Sequence, residues 1–335
     1  MTPTEVYDTY WYLAAERQAM YERRLADPSG PWTADPVLRA HRFTNTYRAA
    51  DRVSQYLIRE VQYRADRPDG PKDVFFRTLL FKLFNKVETW ELLERKLGPI
   101  SWQSFNTGEA SEALDAAWAS GTRIYSAAYI MPAPALGHAR KHANHLALLN
   151  AMMEDDLPSH IAAAPSLRAV YELILRYPGI GPFLAFQYTI DVNYSEMIAF
   201  DEDDFVVAGP GALDGIAKCF SDASRLDPAE VIQHMVDVQE REFKRLDLDF
   251  GGLFGRRLHL IDCQNLFCEV SKYARVAHPE VRGVNDRKRI KQTFRQASRW
   301  TDTPMFPPRW RLDPPALASQ PPSAPRWAGE QALLF

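Results

Sequence analysis

The chain has 335 residues, 46% hydrophobic and 12% aromatic, which is enough to bury a large core in one big domain or two smaller ones. Met1 to Asp8 is polar and acidic and no run of 18 apolar residues occurs, so neither a signal peptide nor a membrane span is expected and the protein reads as cytoplasmic. The three cysteines, Cys219, Cys263 and Cys268, lack C-x-x-C spacing, which excludes a disulfide framework and gives no zinc site. The net charge of -3 argues against a nucleic-acid binder, but Arg256 to Thr301 holds eleven Lys and Arg against four Asp and Glu, a basic region able to track a phosphate backbone.

Thr4 to Asp27 reads as a helix capped by Thr4, with Tyr7, Trp11, Ala14, Ala15, Met20 and Tyr21 near helical spacing. Asp27 to Pro36 is a Pro- and Gly-rich loop. His41 to Arg64 becomes helical by about Arg48, and its dense polar and aromatic groups suit either a polar ligand pocket or a capped, solvated helix entry. Lys72 to Leu97 is one amphipathic helix or two, interrupted at Asn85-Lys86. Leu136 to Asp155 is a helix carrying His138, His142 and His145 near one face; with no carboxylate in the His segment and Arg140 and Lys141 beside them, a DNA-facing or solvated face is favoured over a metal site.

Ser166 to Arg176 and Pro182 to about Asn193 form two helices joined by Tyr177-Pro178-Gly179-Ile180-Gly181, the shape of a helix-hairpin-helix. Its glycines permit close backbone approach, and the second helix offers free N–H groups and a positive dipole end that suit phosphate. A second Gly-rich turn, Gly209-Pro210-Gly211-Ala212, opens a helix to Phe220, but no Gly-Lys-Ser or Gly-Lys-Thr follows, so it is no P-loop. Pro228 to Arg245 and Leu258 to Val276 are further helices; Asp262, Gln264, Asn265 and Glu269 inside the latter must find partners or line a cleft. Eight of the 24 prolines fall in the last 34 residues, so residues 302–335 read as an extended or disordered tail. Convincing strand patterns are absent.

The hairpin and the Phe200-Asp201 pair twenty residues after Gly181 resemble the helix-hairpin-helix superfamily of DNA glycosylases. That resemblance implies an all-α, two-domain fold with the active site in the interdomain cleft: residues 72–200 as the central helical barrel, and 1–71 with 201–301 as a domain formed from both chain ends. Asp201 takes the position of the catalytic carboxylate, while Phe183 stands where bifunctional members carry a Schiff-base lysine, so the implied activity leaves an uncut abasic site. Too few cysteines are present for the four-cysteine iron–sulfur cluster of some members. Residues 41–57, 75–93 and 258–279, with the turn at Gly209, are similar to a narrower clade associated with hypermodified DNA bases, the alpha-glutamyl/putrescinyl thymine pyrophosphorylases and the helical domain joined to hydroxymethyluracil DNA kinases. An anti-phage glycosylase that excises glucosylated hydroxymethylcytosine belongs to the same resemblance.

Three functions follow from it. The first is a monofunctional glycosylase that flips out and excises a hypermodified pyrimidine of phage DNA in anti-phage defence, with Asp201 stabilising the oxocarbenium-like sugar. The second is a transferase or pyrophosphorylase acting on the 5-substituent of a thymine-derived base, and the third a non-enzymatic DNA-binding module. In each, Gly179, Ile180 and Gly181 grip phosphate together with Arg287, Lys288, Arg289 and Lys291. Asn45, Tyr47, Arg48, Asp51, Asn85, Gln264 and Asn265 are the base-pocket candidates, and Asp203 and Asp204 are helix caps in preference to a second carboxylate. No cofactor or metal is required, a monovalent cation at the hairpin being the one candidate ion. The expected partner is double-stranded DNA with modified bases, without membrane or obligate protein partner.

Overall fold

The computed structural model describes residues 1–128, 131–285, 287–295 and 303–315. Among these the regular structure is helical, and extended pairing is limited to isolated bridges such as His41 with Thr293. No helix among the described residues is long and apolar enough to cross a membrane.

Helix α1 (Glu5–Ala26) starts where the Thr4 side chain accepts the Val6 amide, and α2 (Pro36–Ala40) where Asp35 accepts the amides of Val37 and Leu38. Helix α3 (Arg52–Tyr56) widens into a π turn over Leu57–Gln62, where the Arg77 guanidinium donates to the Val61 carbonyl at 2.9 Å. Helix α4 (Pro71–Phe84) ends because Asn85 turns left-handed at φ 50°, so α5 (Val87–Leu97) is separate and the segment holds two helices. Next come α6 (Thr107–Ala119), α7 (Lys141–Glu154), α8 (Leu157–Ala162), α9 (Leu167–Leu175) and α10 (Pro182–Asn193). The chain continues through α11 (Pro210–Cys219), α12 (Pro228–Arg245) and α13 (Leu260–Ala277).

Helix α7 starts at Lys141 and not at Leu136, because the Asn144 side chain ties the preceding loop by accepting the Leu136 and His138 amides. The three histidines are consequently dispersed. His138 is exposed, His142 faces Asp115 at 3.2 Å, and His145 lies between the Tyr125 hydroxyl and the Pro132 carbonyl.

Buried apolar side chains form two clusters. One joins α1 and α2 to α11, α12 and α13, and the other is built from α4 through α10. Contacts far apart in sequence tie the first together: Tyr273 donates to Asp35 at 2.6 Å, Tyr10 to the Cys263 carbonyl, and the Thr44 amide to Glu269. Helices α11 and α13 cross almost backbone to backbone. A side chain at Gly211 would lie 2.9 Å from Cys268 Sγ, and one at Gly215 would overlap the Phe267 carbonyl, so this crossing requires small residues four apart.

The tail differs in part from its expected extended character. Gln55 holds Met305 through both backbone groups at 2.9 Å, Phe306 is buried, and the Arg309 guanidinium donates to the carbonyls of Ser195 and Asn193 at the end of α10. Aromatic and arginine side chains among the prolines supply these anchors; residues 316–335 lie outside the described residues.

Candidate nucleic-acid interface and its buried ion network

The link between α9 and α10 is a tight turn in which the Ile180 amide donates to the Tyr177 carbonyl at 3.2 Å. Ile180 is buried and anchors the turn, while Gly179 and Gly181 stay exposed. Gly179 has φ +80° and passes so close to Pro134 that a Cβ there would sit 3.2 Å from the Pro134 nitrogen. Gly181 caps α10 with open space above its Cα and Pro182 at the first helical position, leaving first-turn N–H groups without a side-chain cap. That combination of exposed amides and a positive helix end can accept a phosphate.

At the other end of α10, buried Asn193 clamps Phe200, accepting its amide and donating to its carbonyl, both at 3.1 Å. The clamp sends Asp201 to the surface, where its carboxylate accepts the Asp203 amide at 3.0 Å. Glu202 turns inward to Arg256 at 3.3 Å. Asp203 accepts the Leu260 amide at 3.1 Å and pairs with Arg257 and with His259 at 3.1 Å, so it ties this turn to the start of α13. Burial opposes its ionisation, but the His259 and Arg257 contacts prevail and hold the Asp203 carboxyl below the usual range. Asp201, Asp203 and His259 bring ligand atoms within 4.8 Å of one another, although a cation there would compete with the donors already on Asp203.

Between the two apolar clusters lies a fully buried ion network that joins α10, α4 and the segment before α3. Asp191 is completely inaccessible and faces Arg48 at 2.8 Å and Lys82 at 3.3 Å. These contacts lie off the hydrogen-bond direction, so charge and proximity hold them more than alignment does. Arg48 also donates to Gln187 at 2.9 Å, its amide to Asp262, and Lys82 to Asn85 at 2.8 Å. Burial, only partly offset by Asp191, brings the Lys82 ammonium down to about 8. Burial likewise pushes the Asp262 carboxyl up to about 6.

The pocket residues expected from sequence thus divide. Arg48 and Asn85 belong to this network. Asn45, Asp51 and Asn265 form a second group in which the Asn45 amide donates to Asp51 and Asn265 donates to Thr44 and the Asn45 carbonyl. Gln264 donates to Cys268 and lies beside Gly209, whose missing side chain leaves room for the Phe183 ring. Tyr47 is buried in the first apolar cluster, its hydroxyl donating to the Arg256 carbonyl at 2.5 Å. Lys82, Gln187 and Asp191 were missed, although a Lys inside Leu-Phe-Lys-Leu-Phe and an Asp inside Thr-Ile-Asp-Val are lone charges in apolar helical runs. The basic residues Arg287, Lys288, Arg289 and Lys291 are exposed. Their approach is fixed by Asn285, whose amide donates to Asp214 at 2.9 Å, itself paired with Lys218 at 3.3 Å.

Two exposed, phosphate-compatible elements, a glycine turn and a basic segment, therefore flank a helical body with polar groups buried between its two cores. Residues 4–283 match the family model described as the helical domain of 5-hmdU DNA kinase, and the chain belongs to that family. A 5-hmdU DNA kinase of Bacillus phage SP10 is 28% identical over 293 residues, which are 81% of this chain and 45% of the relative. The chain thus spans less than half the length of that curated relative. No solved structure matches.

These findings overturn the expected DNA N-glycosylase activity, since the relative is named as a kinase, a transferase and not a hydrolase of N-glycosyl bonds. The physical reason lies in what the twenty-residue spacing reports. Gly181 and Asp201 are separated by α10 and the Asn193–Phe200 clamp, so the spacing is a property of the helix and its end. The Asp201 carboxylate has a structural duty in the turn that needs no sugar chemistry.

Proposed function

We propose that this chain is a base-handling module of DNA hypermodification, a transferase or pyrophosphorylase that acts on the 5-substituent of a thymine-derived base and leaves the glycosidic bond intact. The observation that carries this reading is the family match over residues 4–283. In it, the Gly179–Gly181 turn and the Arg287–Lys291 segment hold the duplex backbone, and the modified nucleotide is turned toward the polar groups between the two cores. The exposed amides of the hairpin and the uncovered basic side chains support the first part. Arg48, Asn85 and Gln264 are the base-side candidates, with surface-exposed Asp201, near Asp203 and His259, as a candidate acid or base. A substituent on the 5-position projects from the pyrimidine edge, away from the sugar, so this chemistry requires neither an oxocarbenium-stabilising carboxylate nor a Schiff-base lysine.

The test uses duplex DNA containing thymine, 5-hydroxymethyluracil, or 5-hydroxymethyluracil already phosphorylated by a 5-hmdU DNA kinase. Each is incubated with the protein and an amine nucleophile such as glutamate or putrescine, digested to nucleosides and weighed by mass spectrometry. A new nucleoside from the phosphorylated DNA alone, without alkali-labile sites, is the expected result. An unchanged nucleoside profile on all three DNAs defeats the reading.

A further inference from the structure

A cavity of about 310 Å³ lies between α1, residues 40–52 and the extended residues 292–295, which pair with that segment through the Arg42 amide on the Gln292 carbonyl and the Phe294 amide on the Ala40 carbonyl. Its lining includes Arg17, Arg24, Arg42, Arg52 and Arg295 against one carboxylate, Asp51. Arg17, Arg42 and Arg295 make no ion pair among the described residues, and Arg52 reaches only exposed Glu88, at 3.9 Å. Folding has thus gathered five arginines around one concavity, and three of them, Arg17, Arg42 and Arg295, keep their charge without an ion pair among the described residues.

The charges are also arranged. Arg17, half-buried in the floor, is held by the Thr44 carbonyl at 2.9 Å and the Asn45 side-chain oxygen at 2.8 Å, both neutral acceptors that orient the guanidinium and leave its charge. The Arg24 guanidinium lies 5.3 Å from the centre of the Trp32 ring in the wall. Two further polar groups in the lining, the Tyr21 hydroxyl and His41 Nδ1, are buried without a hydrogen-bond partner among the described residues. A concave site focuses positive potential, planar guanidinium forks match the spacing of phosphoryl oxygens, and buried donors without partners call for an acceptor from outside.

We infer that this cavity is a binding site for a phosphate-monoester or pyrophosphoryl group, separate from the hairpin. Arg17 and Arg24 form its floor and wall, and exposed Arg42 and Arg295 close over the ligand from the rim. The group can arrive on a free nucleotide or on a phosphorylated base substituent. The inference does not depend on the proposed transfer reaction, because binding is measured without DNA or turnover.

The probe is inorganic pyrophosphate, titrated by calorimetry into the full chain at constant ionic strength. Wild type should bind one equivalent saturably, the rim double variant Arg42→Gln/Arg295→Gln at least tenfold more weakly, and Tyr21→Phe severalfold more weakly, all with unchanged helical circular dichroism. Displacement of pyrophosphate by ATP assigns the group to a nucleotide, and displacement by duplex carrying phosphorylated 5-hydroxymethyluracil assigns it to the base; either supports the site. Non-saturable binding to wild type, affinity of the folded double variant within twofold of wild type, or equal displacement by unmodified duplex overturns it.

Discussion

Asp191→Asn should be among the most destabilising isosteric changes in the chain, and its effect should depend on pH. The carboxylate is wholly inaccessible and is shared by Arg48 and Lys82, which are 5% and 2% exposed. At an effective dielectric near 20, each such pair attracts by roughly 5 kcal/mol before desolvation is counted. Removing the shared anion from buried cations typically costs about 3–5 kcal/mol net, a large share of the roughly 5–15 kcal/mol that stabilises a domain. Lys82 can relieve part of this by losing its proton. Its folded pKa of about 8 lies below the ordinary lysine value of 10.5, so above pH 8 the unfolded chain binds more protons and stability rises with pH through that window. Without Asp191 the folded pKa falls further and the rise starts at lower pH, which narrows the gap to wild type by about 1.4 kcal/mol per unit of added shift. Urea denaturation followed by circular dichroism at pH 6.5 and pH 9, with Lys82→Met and the double variant to complete the cycle, measures both effects. A loss below about 1 kcal/mol, or a loss equal at both pH values and in both backgrounds, refutes the reasoning.

Other outcomes are as concrete. Gly215→Ala should destabilise by about 3 kcal/mol through overpacking of the α11–α13 crossing, and a melt within a degree of wild type would show that the two backbones can separate freely. Neutralising Arg287, Lys288, Arg289 and Lys291 to Gln should lower the slope of log affinity for duplex DNA against log salt by about 0.9 for each phosphate these side chains neutralise; an unchanged slope places the phosphate-binding surface elsewhere. Asp262, raised by burial to about 6 in the fold, keeps its proton there while the unfolded chain releases it near 3.8, so wild-type stability should fall by roughly 2 kcal/mol as pH rises from 4 to 6. Asp262→Asn should flatten that fall, which pH-resolved denaturation would reveal or deny.

The helices were largely legible, and the reasons are local. Thr4 and Ser166 are short polar residues before apolar runs, and each accepts a first-turn amide as such residues do. The hairpin was legible too, because Gly179 and Pro182 leave the backbone few alternatives. What sequence could not show was set by partners far along the chain. Nothing local says that Asn144 delays α7, that Tyr47 is drawn into the core by the Arg256 carbonyl, or that Gln55 retains a proline-rich tail. The expected enzyme class was overturned because a hairpin, a helix and an outward aspartate specify how a backbone is presented and do not by themselves fix a reaction.

The closure of the first core by both chain ends has a consequence for synthesis. Helix α1 is made well before α13, yet Tyr10, Asp35, Thr44 and Gln55 find their partners at Cys263, Tyr273, Glu269 and Met305. Its apolar face, with Trp11 and Leu13 fully buried in the finished protein, must wait until more than two hundred further residues have been made. The α4–α10 cluster, closed largely within itself, can consolidate in that interval. A nascent chain halted before α13 would therefore carry a folded α4–α10 centre and an α1 whose apolar face is still uncovered and adhesive.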